Sequence, residues 1–210
     1  CVGADSLVLL ALPFFLLAGE IMNAAGITQR LTRLALALIG PPRGGLSYVV
    51  VAVNVLISMV SGAAVASAAA VGSTMVPMME KKGYPRPYAA ALNATAATIG
   101  PIIPPSVGFI IYASVSGVSV GKLFLAGTLP GILLVFGILL VCVVQAYRHR
   151  YPGGEHHSWR ELWISFRDAV PALMMPVIIL GGIFGGLVTP TEAGALAVAY
   201  GLFAGFVIYR

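Results

Sequence analysis

The chain has 210 residues, of which 59% are hydrophobic and only 9% are charged, and its formal net charge is +5. A soluble domain carries roughly 25% charged residues, so this composition excludes an ordinary soluble protein and predicts a helical membrane protein. The basic residues lie between apolar runs, which favours the positive-inside rule over nucleic-acid binding as the reason for the positive charge.

The first predicted element is a membrane span over residues 6–27, and residues 28–42 follow as an amphipathic helix. In this second segment leucines and arginines separate onto different faces at helical spacing, which is typical of a helix in the membrane interface. These residues are Leu31, Leu34, Leu38, Arg30 and Arg33. Glu20, near the end of the first span, is either a functional intramembrane acid or a group at interface depth bonded to a neighbouring helix.

Residues 44–80 form a second apolar block with many small residues in its middle, "SGAAVASAAAVGS". Basic residues flank both ends, Arg43 before the block and Lys81 and Lys82 after it, so the positive-inside rule places both ends on one side. We therefore predict a re-entrant helical hairpin with its tip near Ser61-Gly62-Ala63. Two full spans of about 17 residues each are the alternative, and they require a thin bilayer.

Residues 87–118 form the next predicted crossing, which the motif "TIGPIIPPS" interrupts, and residues 123–147 cross back. The polar stretch over residues 148–168 carries four arginines, which place it on the cytoplasmic side. Within this stretch Trp159 and Trp163 lie four residues apart beside arginines, which predicts an interfacial linker helix.

Two further spans are predicted over residues 170–188 and 193–209. Between them Thr189 at the N-cap, Pro190 at the first helical position and Glu192 at the third form a capping box. A helix is therefore expected to open at this box, and Glu192 is explained by the cap.

The motif "TIGPIIPPS", residues 98–106, places three prolines in the middle of a membrane helix. Proline has no backbone N–H, so Pro101, Pro104 and Pro105 release the carbonyls of the residues four positions before them. An unsatisfied backbone group in hydrocarbon costs several kcal/mol, so water, a side chain or a cation has to bind these oxygens. The released carbonyls are those of Ala97, Gly100 and Pro101.

A new half-helix is predicted to begin near Ser106, with unpaired N–H groups and the positive end of its dipole, which suit an anion. Released carbonyls for a small cation beside N–H groups for an anion are typical of a sodium-coupled carrier with discontinuous helices. The hydroxyls of Ser58, Thr95, Thr98 and Ser106 add polar ligands. The alternative is that the prolines only bend the helix.

Four segments of the chain resemble, in the same order, the large membrane subunit of TRAP-type (tripartite ATP-independent periplasmic) transporters. They are "LPFFLLAGEIMNAAGI", "SGAAVASAAAVGSTMVPMMEKKGY", "TIGPIIPPS" and "LVTPTEAGALAVAYGLFAG". The resemblance implies an all-α, multi-span membrane transporter with a re-entrant hairpin and a Pro-broken helix, which is half of an inverted-repeat, elevator-type fold. It implies sodium-driven import of a small organic acid, such as a C4-dicarboxylate or sialic acid, across a bacterial or archaeal cytoplasmic (inner) membrane. The implied partners are a periplasmic substrate-binding protein and a small membrane subunit.

The same resemblance divides the chain into repeats. Residues 1–147 hold most of the first inverted repeat, residues 148–168 link the repeats, and residues 169–210 begin the second. Both ends of the chain look cut, so we expect a fragment that lacks the second hairpin and the second broken helix. Half of the substrate site and one cation site are then outside this sequence.

The resemblance also places the family's first sodium site at the hairpin tip and at the helix break, largely on backbone carbonyls. The cation-binding candidates are Ser58, Ser61, Gly62, Gly100, Ile103 and Pro104. The substrate-binding candidates are Thr98, Pro105 and Ser106. The chain departs from the family pattern at Ala63, where the common motif has serine, and at Ser67, where an aspartate is usual.

Histidine and cysteine residues elsewhere in the chain do not predict a metal site. The run Glu155-His156-His157 follows two glycines in a polar stretch and is typical of a solvated loop. Cys1 lies at the start of the chain and Cys142 in an apolar run, so we predict neither a disulfide nor a transition-metal site.

The alternative function is a channel-type or structural membrane subunit without its own coupled transport. A channel needs a continuous polar pore, whereas this chain has one central break between apolar walls. An intramembrane enzyme is disfavoured because no paired nucleophile and base is present, and a primary pump because no phosphate-binding loop is present. We expect no enzymatic activity, no cofactor apart from sodium as coupling ion, and no nucleic-acid partner.

Overall fold

The computed structural model describes residues 9–39, 42–153 and 158–209. Regular structure in these ranges is helical, apart from one isolated bridge between Arg43 and Gly153. This confirms the predicted all-α class. The helices are α1 (Ala11–Ala24), α2 (Ile27–Ile39), α3 (Gly45–Ser61), α4 (Ala64–Lys81), α5 (Arg86–Ala97), α6 (Val107–Ser116), α7 (Val120–His149), α8 (Trp159–Phe184) and α9 (Pro190–Phe203), which a π-helical turn (Ala204–Ile208) extends.

The first two helices form one bent pair. Helices α1 and α2 meet at 69° across a two-residue break, and together they are long and apolar enough for one membrane crossing. Helix α1 begins at Ala11, whereas the span was predicted to begin at residue 6. Residues 6–8 lie outside the described ranges. The predicted amphipathic face of α2 is buried at Leu31 and Leu34, whereas Leu38 is exposed.

Helices α3 and α4 form the predicted helical hairpin. The turn consists of Gly62, which has φ of +62°, and Ala63, which is extended. Glycine tolerates this left-handed backbone conformation without the steric cost that a Cβ adds, which explains the position of the turn. The turn lies where the sequence predicts it, and the depth of the hairpin in a membrane stays a prediction.

The predicted break between α5 and α6 is confirmed. Helix α5 ends at Ala97, and α6 begins at Val107 after the serine that was expected to open it. The residues between the helices form turns. The missing N–H groups and rings of the three prolines account for the interruption.

Three helical segments of the described chain are long and apolar enough to cross a membrane: α7, α8, and α9 with its π extension. The expectation of a separate interfacial helix before a span over residues 170–188 is wrong, because α8 runs without interruption from Trp159 to Phe184. A capping box of Ser158 and Glu161 opens α8, and the prolines within it do not end it. The histidine-containing run 155–157 lies outside the described residues.

The predicted capping box at the start of α9 is confirmed. The hydroxyl of Thr189 accepts a bond from the N–H of Glu192 at 3.3 Å, and the N–H of Thr189 donates to the Glu192 carboxylate at 2.7 Å. The helix therefore begins at Pro190, three residues before the predicted start of the last span.

The end of the hairpin opposite the turn is held by three tyrosine rings, Tyr84, Tyr88 and Tyr151, which we call the base cluster. The ring centroids of Tyr84 and Tyr88 lie 4.5 and 5.2 Å from that of Tyr151. The Tyr84 hydroxyl donates to the Pro152 carbonyl at 3.2 Å, and the Tyr88 hydroxyl bonds to Ser47 at 3.1 Å. Burial raises the pKa of Tyr84 to about 12, so its hydroxyl stays a donor in mildly alkaline solution, where an ordinary tyrosine begins to ionise.

Candidate functional site

The tip of the hairpin contacts the break between α5 and α6 through backbone atoms. The carbonyl of Gly62 accepts a hydrogen bond from the N–H of Val107 at 3.4 Å. A Cβ at Gly62 would lie 2.7 Å from the carbonyl oxygen of Pro105, closer than real Cβ atoms come to other atoms. Space as well as conformation therefore requires glycine at the tip, and the structure brings together the two segments that the sequence singled out.

Three serine hydroxyls form a buried cluster below the tip. The Oγ of Ser67 lies 3.1 Å from that of Ser58 and 3.3 Å from that of Ser61. Ser58 and Ser67 are fully buried, and Ser61 is 9% exposed. The sequence predicted Ser58 and Ser61 as ligands and noted Ser67 only as a departure from a family pattern. Its position at the head of the buried stripe Ser67, Val71, Met75 and Met79 on α4 is the signal that places it in the cluster.

Gly100 brings the break close to the serine cluster. A Cβ at this position would lie 2.9 Å from the Oγ of Ser58 and 3.3 Å from the Ser58 Cβ. The predicted pairing of Gly100 with the hairpin therefore corresponds to direct contact between the break and α3. Any larger side chain at Gly100 has to displace the serine.

Two of the three released carbonyls have partners within the chain. One partner is a side chain, which was among the expected alternatives, and the other is a backbone N–H, which was not. The Ala97 carbonyl accepts the N–H of Gly100 at 3.1 Å, and the Pro101 carbonyl accepts the hydroxyl of Ser106 at 2.6 Å. The chain turns tightly after α5, which allows the hydrogen bond from Gly100 to the carbonyl three residues earlier. Ser106, the N-cap of α6, lies close enough to the Pro101 carbonyl to donate to it. A carbonyl has two lone pairs, so each oxygen keeps a second acceptor position.

The start of α6 is also partly satisfied. The hydroxyl of Ser106 accepts the N–H of Phe109 at 3.3 Å, and the N–H of Val107 is bonded to the hairpin tip. Ser106 is fully buried. Two of the N–H groups that were predicted to bind an anion are thus hydrogen-bonded within the chain. Fewer N–H groups remain for an anion than predicted.

The remaining predicted residues divide into two groups. Pro104 and Pro105 are buried within the break, and Ile103 packs its side chain toward Gly131 of α7, where an added Cβ would lie 2.6 Å from the Ile103 Cγ1. The Ile103 side chain is thus used in packing, and its backbone carbonyl stays a predicted ligand. Thr98 is exposed and donates to the Thr95 carbonyl at 2.7 Å, so the structure does not bring its hydroxyl into the buried site.

An asparagine pair that the sequence analysis missed ties the hairpin to α5. The Nδ2 of Asn54 donates to the Oδ1 of Asn93 at 3.1 Å, and the Nδ2 of Asn93 donates to the Ala68 carbonyl at 2.8 Å. Gly72 leaves room for the Asn93 amide, since a Cβ there would lie 2.7 Å from its Nδ2. Two lone amides within apolar runs were the available signal, because a buried amide in such a run needs a partner.

The contact between the hairpin tip and the break is electrically neutral. The residues that meet there contribute hydroxyl groups and backbone atoms, and the described part of the chain has no group of three or more His, Cys, Asp or Glu residues that could hold a metal ion. Hydroxyl and carbonyl oxygens are ligands for small hard cations, whereas softer metals prefer sulfur and imidazole.

Sequence comparison identifies relatives along the whole chain. A family model described as "Tripartite ATP-independent periplasmic transporter, DctM component" matches residues 1–210. The chain is 49% identical over 208 residues to the 2,3-diketo-L-gulonate TRAP transporter large permease protein YiaN of Escherichia coli, a match that covers 99% of this chain and 49% of that protein. It is 41% identical over 208 residues to the sialic acid TRAP transporter large permease protein SiaM of Vibrio cholerae, with the same coverage.

A third relative carries a dicarboxylate name. The chain is 42% identical over 202 residues to the C4-dicarboxylate TRAP transporter large permease protein DctM of Pseudomonas aeruginosa, a match that covers 96% of this chain and 47% of that protein. The chain thus spans about half the length of the curated relatives it matches.

Proposed function

Because the chain belongs to the DctM component family of tripartite ATP-independent periplasmic transporters, we propose that it is part of a large permease that imports a small organic acid with sodium as coupling ion. The chain is a multi-pass protein of the bacterial cytoplasmic membrane, and its family is one of transporter permeases. The permease performs no covalent chemistry on its substrate and uses no cofactor besides the ion.

The main support for sodium as the coupling ion is the contact between the hairpin tip and the helix break. Gly62 meets Val107 at the backbone, and Gly100 meets Ser58. Hydroxyls and carbonyls of two separate chain segments thereby converge in a site without charge. Discontinuous helices that present backbone oxygens in this way are how secondary transporters bind sodium.

The substrate class is proposed from the relatives and from the form of the break. The relatives' names give diketogulonate, sialic acid and C4-dicarboxylates. The N-terminus of α6 directs its dipole toward the break, which favours a carboxylate there. Ser106 and Pro105 lie at this N-terminus and are the proposed contacts of this chain with the substrate, whereas exposed Thr98 is a peripheral candidate.

The complete transporter is proposed to contain a small membrane subunit and a periplasmic substrate-binding protein, as the tripartite family name implies. On the inverted-repeat proposal, a second hairpin and a second broken helix complete the site in a permease of about twice this length. The hairpin and break then move together in an elevator-type motion.

The test is uptake into proteoliposomes that contain the full-length permease with its small subunit and binding protein. Labelled C4-dicarboxylate, sialic acid and 2,3-diketo-L-gulonate are compared with and without an inward sodium gradient. We expect uptake of one of these acids that requires both sodium and the binding protein. Uptake that is independent of sodium would exclude the coupling ion, and flux without the binding protein would favour a channel-type subunit.

A further inference from the structure

A small cleft separates the bent pair α1–α2 from the tip of the hairpin. Its polar lining consists of Glu20 and Asn23 on α1, Thr28 on α2, and Ser61 at the end of α3. The two sides lie in direct contact beside the cleft, since a Cβ at Gly19 would be only 3.1 Å from the Cα of Ser61. The cleft is therefore part of the boundary between α1 and the tip.

Glu20 is the acidic residue of the described chain that lines this cleft. Glu161 and Glu192 are bound in the capping boxes of α8 and α9, and Glu80 lies at the opposite end of α4. The cation Arg30, on the next helix, lies over the ring of Tyr209 at 4.0 Å from its centroid. The cleft thus has a carboxylate and no arginine or lysine in its lining.

A carboxylate within a membrane-crossing segment is costly unless a positive charge compensates it. The α1–α2 pair meets the length and hydropathy of a crossing, and Glu20 lies one turn before the end of α1. The C-terminal end of a helix carries the negative end of its dipole, which raises the demand for a cation at the same place.

Asn23, Thr28 and Ser61 line the same cleft as Glu20 and offer neutral oxygens. Glu20 and Asn23 are exposed, whereas Thr28 and Ser61 are buried. The Thr28 hydroxyl donates to the Oδ1 of Asn23 at 2.8 Å, a bond that joins the two helices across the bend. Thr28 is 4% exposed, and Ser61 connects the far side of the cleft to the serine cluster through Ser67. One carboxylate with amide and hydroxyl oxygens is a typical ligand set for a hard cation.

The volume limits what the cleft can hold. It encloses about 40 Å³ of space accessible to water. One water needs roughly 10–15 Å³ by this measure, so the cleft has room for about three waters, or for one ion with part of its hydration shell.

We propose that this cleft is a cation-binding site in which Glu20 supplies the charge, Asn23, Thr28 and Ser61 supply neutral oxygens, and one sodium ion binds. The site lies beside the neutral site between Ser58 and Gly100 and shares Ser61 with the serine cluster. It supplies the negative charge which the neutral site lacks. An ion bound here holds α1 to the hairpin tip. The proposal does not depend on the identity of the transported acid.

The experiment measures equilibrium binding of ²²Na⁺ to the purified full-length permease for the wild type, Glu20→Gln and Glu80→Gln. Glutamine keeps the shape of the side chain and removes its charge. We expect Glu20→Gln to weaken sodium binding at one site at least tenfold and Glu80→Gln to leave the affinity within twofold of wild type. Glu80 is the matched control because it is an exposed glutamate at the other end of α4.

Equal sodium binding by Glu20→Gln and the wild type would overturn the proposal and indicate a purely structural role for Glu20. The absence of sodium binding by the wild type would overturn it too.

Thr28→Val provides a second variant that keeps the size of the side chain and the charge of Glu20. We expect it to weaken the same sodium site by about threefold to tenfold, as the loss of one hydrogen-bonding group does. Gly100→Leu separates the two sites. If Gly100→Leu loses one sodium ion and Glu20→Gln loses the other, both sites are supported. If Gly100→Leu loses all sodium binding and Glu20→Gln binds sodium as the wild type does, only the neutral site remains.

Discussion

The two ends of the α3–α4 hairpin are held by opposite means. At the tip, glycines and serines bring backbone atoms and hydroxyls of two segments into contact, as the 3.4 Å bond between Val107 and Gly62 shows. At the base cluster, the rings of Tyr84, Tyr88 and Tyr151 pack together and their hydroxyls bond to neighbouring segments. The tip is built from small side chains, whereas the base cluster is built from large aromatic ones.

This difference separates anchoring from binding. A buried tyrosine contributes roughly 150–250 Å² of burial, so the base cluster gains a large hydrophobic stabilisation that small residues cannot provide. The tip instead exposes polar backbone and hydroxyl groups to one another at short range. Buried oxygens held close together by glycines, without large side chains between them, suit a site that binds and releases an ion.

Gly100→Leu is expected to disrupt the contact between the hairpin tip and the helix break. A side chain at this position meets the Oγ of Ser58 at 2.9 Å and the Ala97 carbonyl at 3.3 Å, so the break has to move away from α3. Overpacking of this kind costs about 1–3 kcal/mol and also disrupts the geometry of the site. We expect sodium-dependent uptake by the full-length permease to be abolished while membrane insertion is retained.

Gly137→Leu on α7 is the control, because a Cβ there meets no atom within 4 Å. It should transport as the wild type does. Normal uptake by Gly100→Leu would refute the assignment of this contact to the site.

Tyr84→Ala is expected to weaken the base while leaving the chemistry of the tip unchanged. Truncation of a buried aromatic residue costs about 3–5 kcal/mol, and the bond to Pro152 is lost as well. We expect a marked fall in the thermal unfolding temperature in detergent. The sodium concentration for half-maximal uptake by the protein that remains folded should stay unchanged.

Tyr147→Ala serves as the comparison for Tyr84→Ala, since Tyr147 lies at the same end of the molecule and is 69% exposed. Its unfolding temperature should match that of the wild type. A change in sodium dependence in Tyr84→Ala would show that base and tip are coupled and would contradict the division of roles.

Gly62→Ala tests the close approach at the tip against simple backbone strain. Alanine at φ of +62° costs about 1–2 kcal/mol wherever it occurs, and here its Cβ also meets the Pro105 carbonyl at 2.7 Å. Gly117→Ala has nearly the same φ, +71°, with no atom within 4 Å of the Cβ. We expect both variants to lose stability and only Gly62→Ala to lose uptake, by tenfold or more. Equal losses in the two variants would reduce the role of Gly62 to conformation alone.

Features set by local chemistry could be predicted from the sequence. A small Ser-Gly pair predicted the hairpin turn, prolines predicted the break, and a capping box predicted the start of α9. Each depends on residues a few positions apart. Even so, the continuous α8 was missed, because the polar stretch 148–168 and the apolar residues after it were treated as two elements, whereas a change from polar to apolar residues does not end a helix.

Features set by distant partners could not be predicted in the same way. The bond between Asn54 and Asn93 joins residues 39 positions apart, and no pattern in the sequence pairs them. The released Pro101 carbonyl was expected to bind water, a side chain or a cation, and the sequence alone did not indicate that the partner is the hydroxyl of Ser106. Whether a freed group is satisfied depends on the local path of the chain, which the presence of proline alone does not determine.

Ser67→Ala is expected to have the smallest effect, and it distinguishes a polar cluster that binds from one that only packs. The Ser67 hydroxyl lies within hydrogen-bond distance of both Ser58 and Ser61, so alanine leaves each of them with one partner fewer. One hydrogen bond contributes about 0.5–1.5 kcal/mol, which corresponds to a change of roughly threefold to tenfold in affinity. If the cluster orients Ser58 and Ser61 toward an ion, the sodium concentration for half-maximal uptake rises by that factor while the maximal rate changes little. Ser73→Ala, on the exposed face of the same helix, should leave both quantities unchanged. An unchanged sodium dependence in Ser67→Ala would mean that the three serines only fill the space below the tip, and the ion ligands would then be the backbone carbonyls of the break.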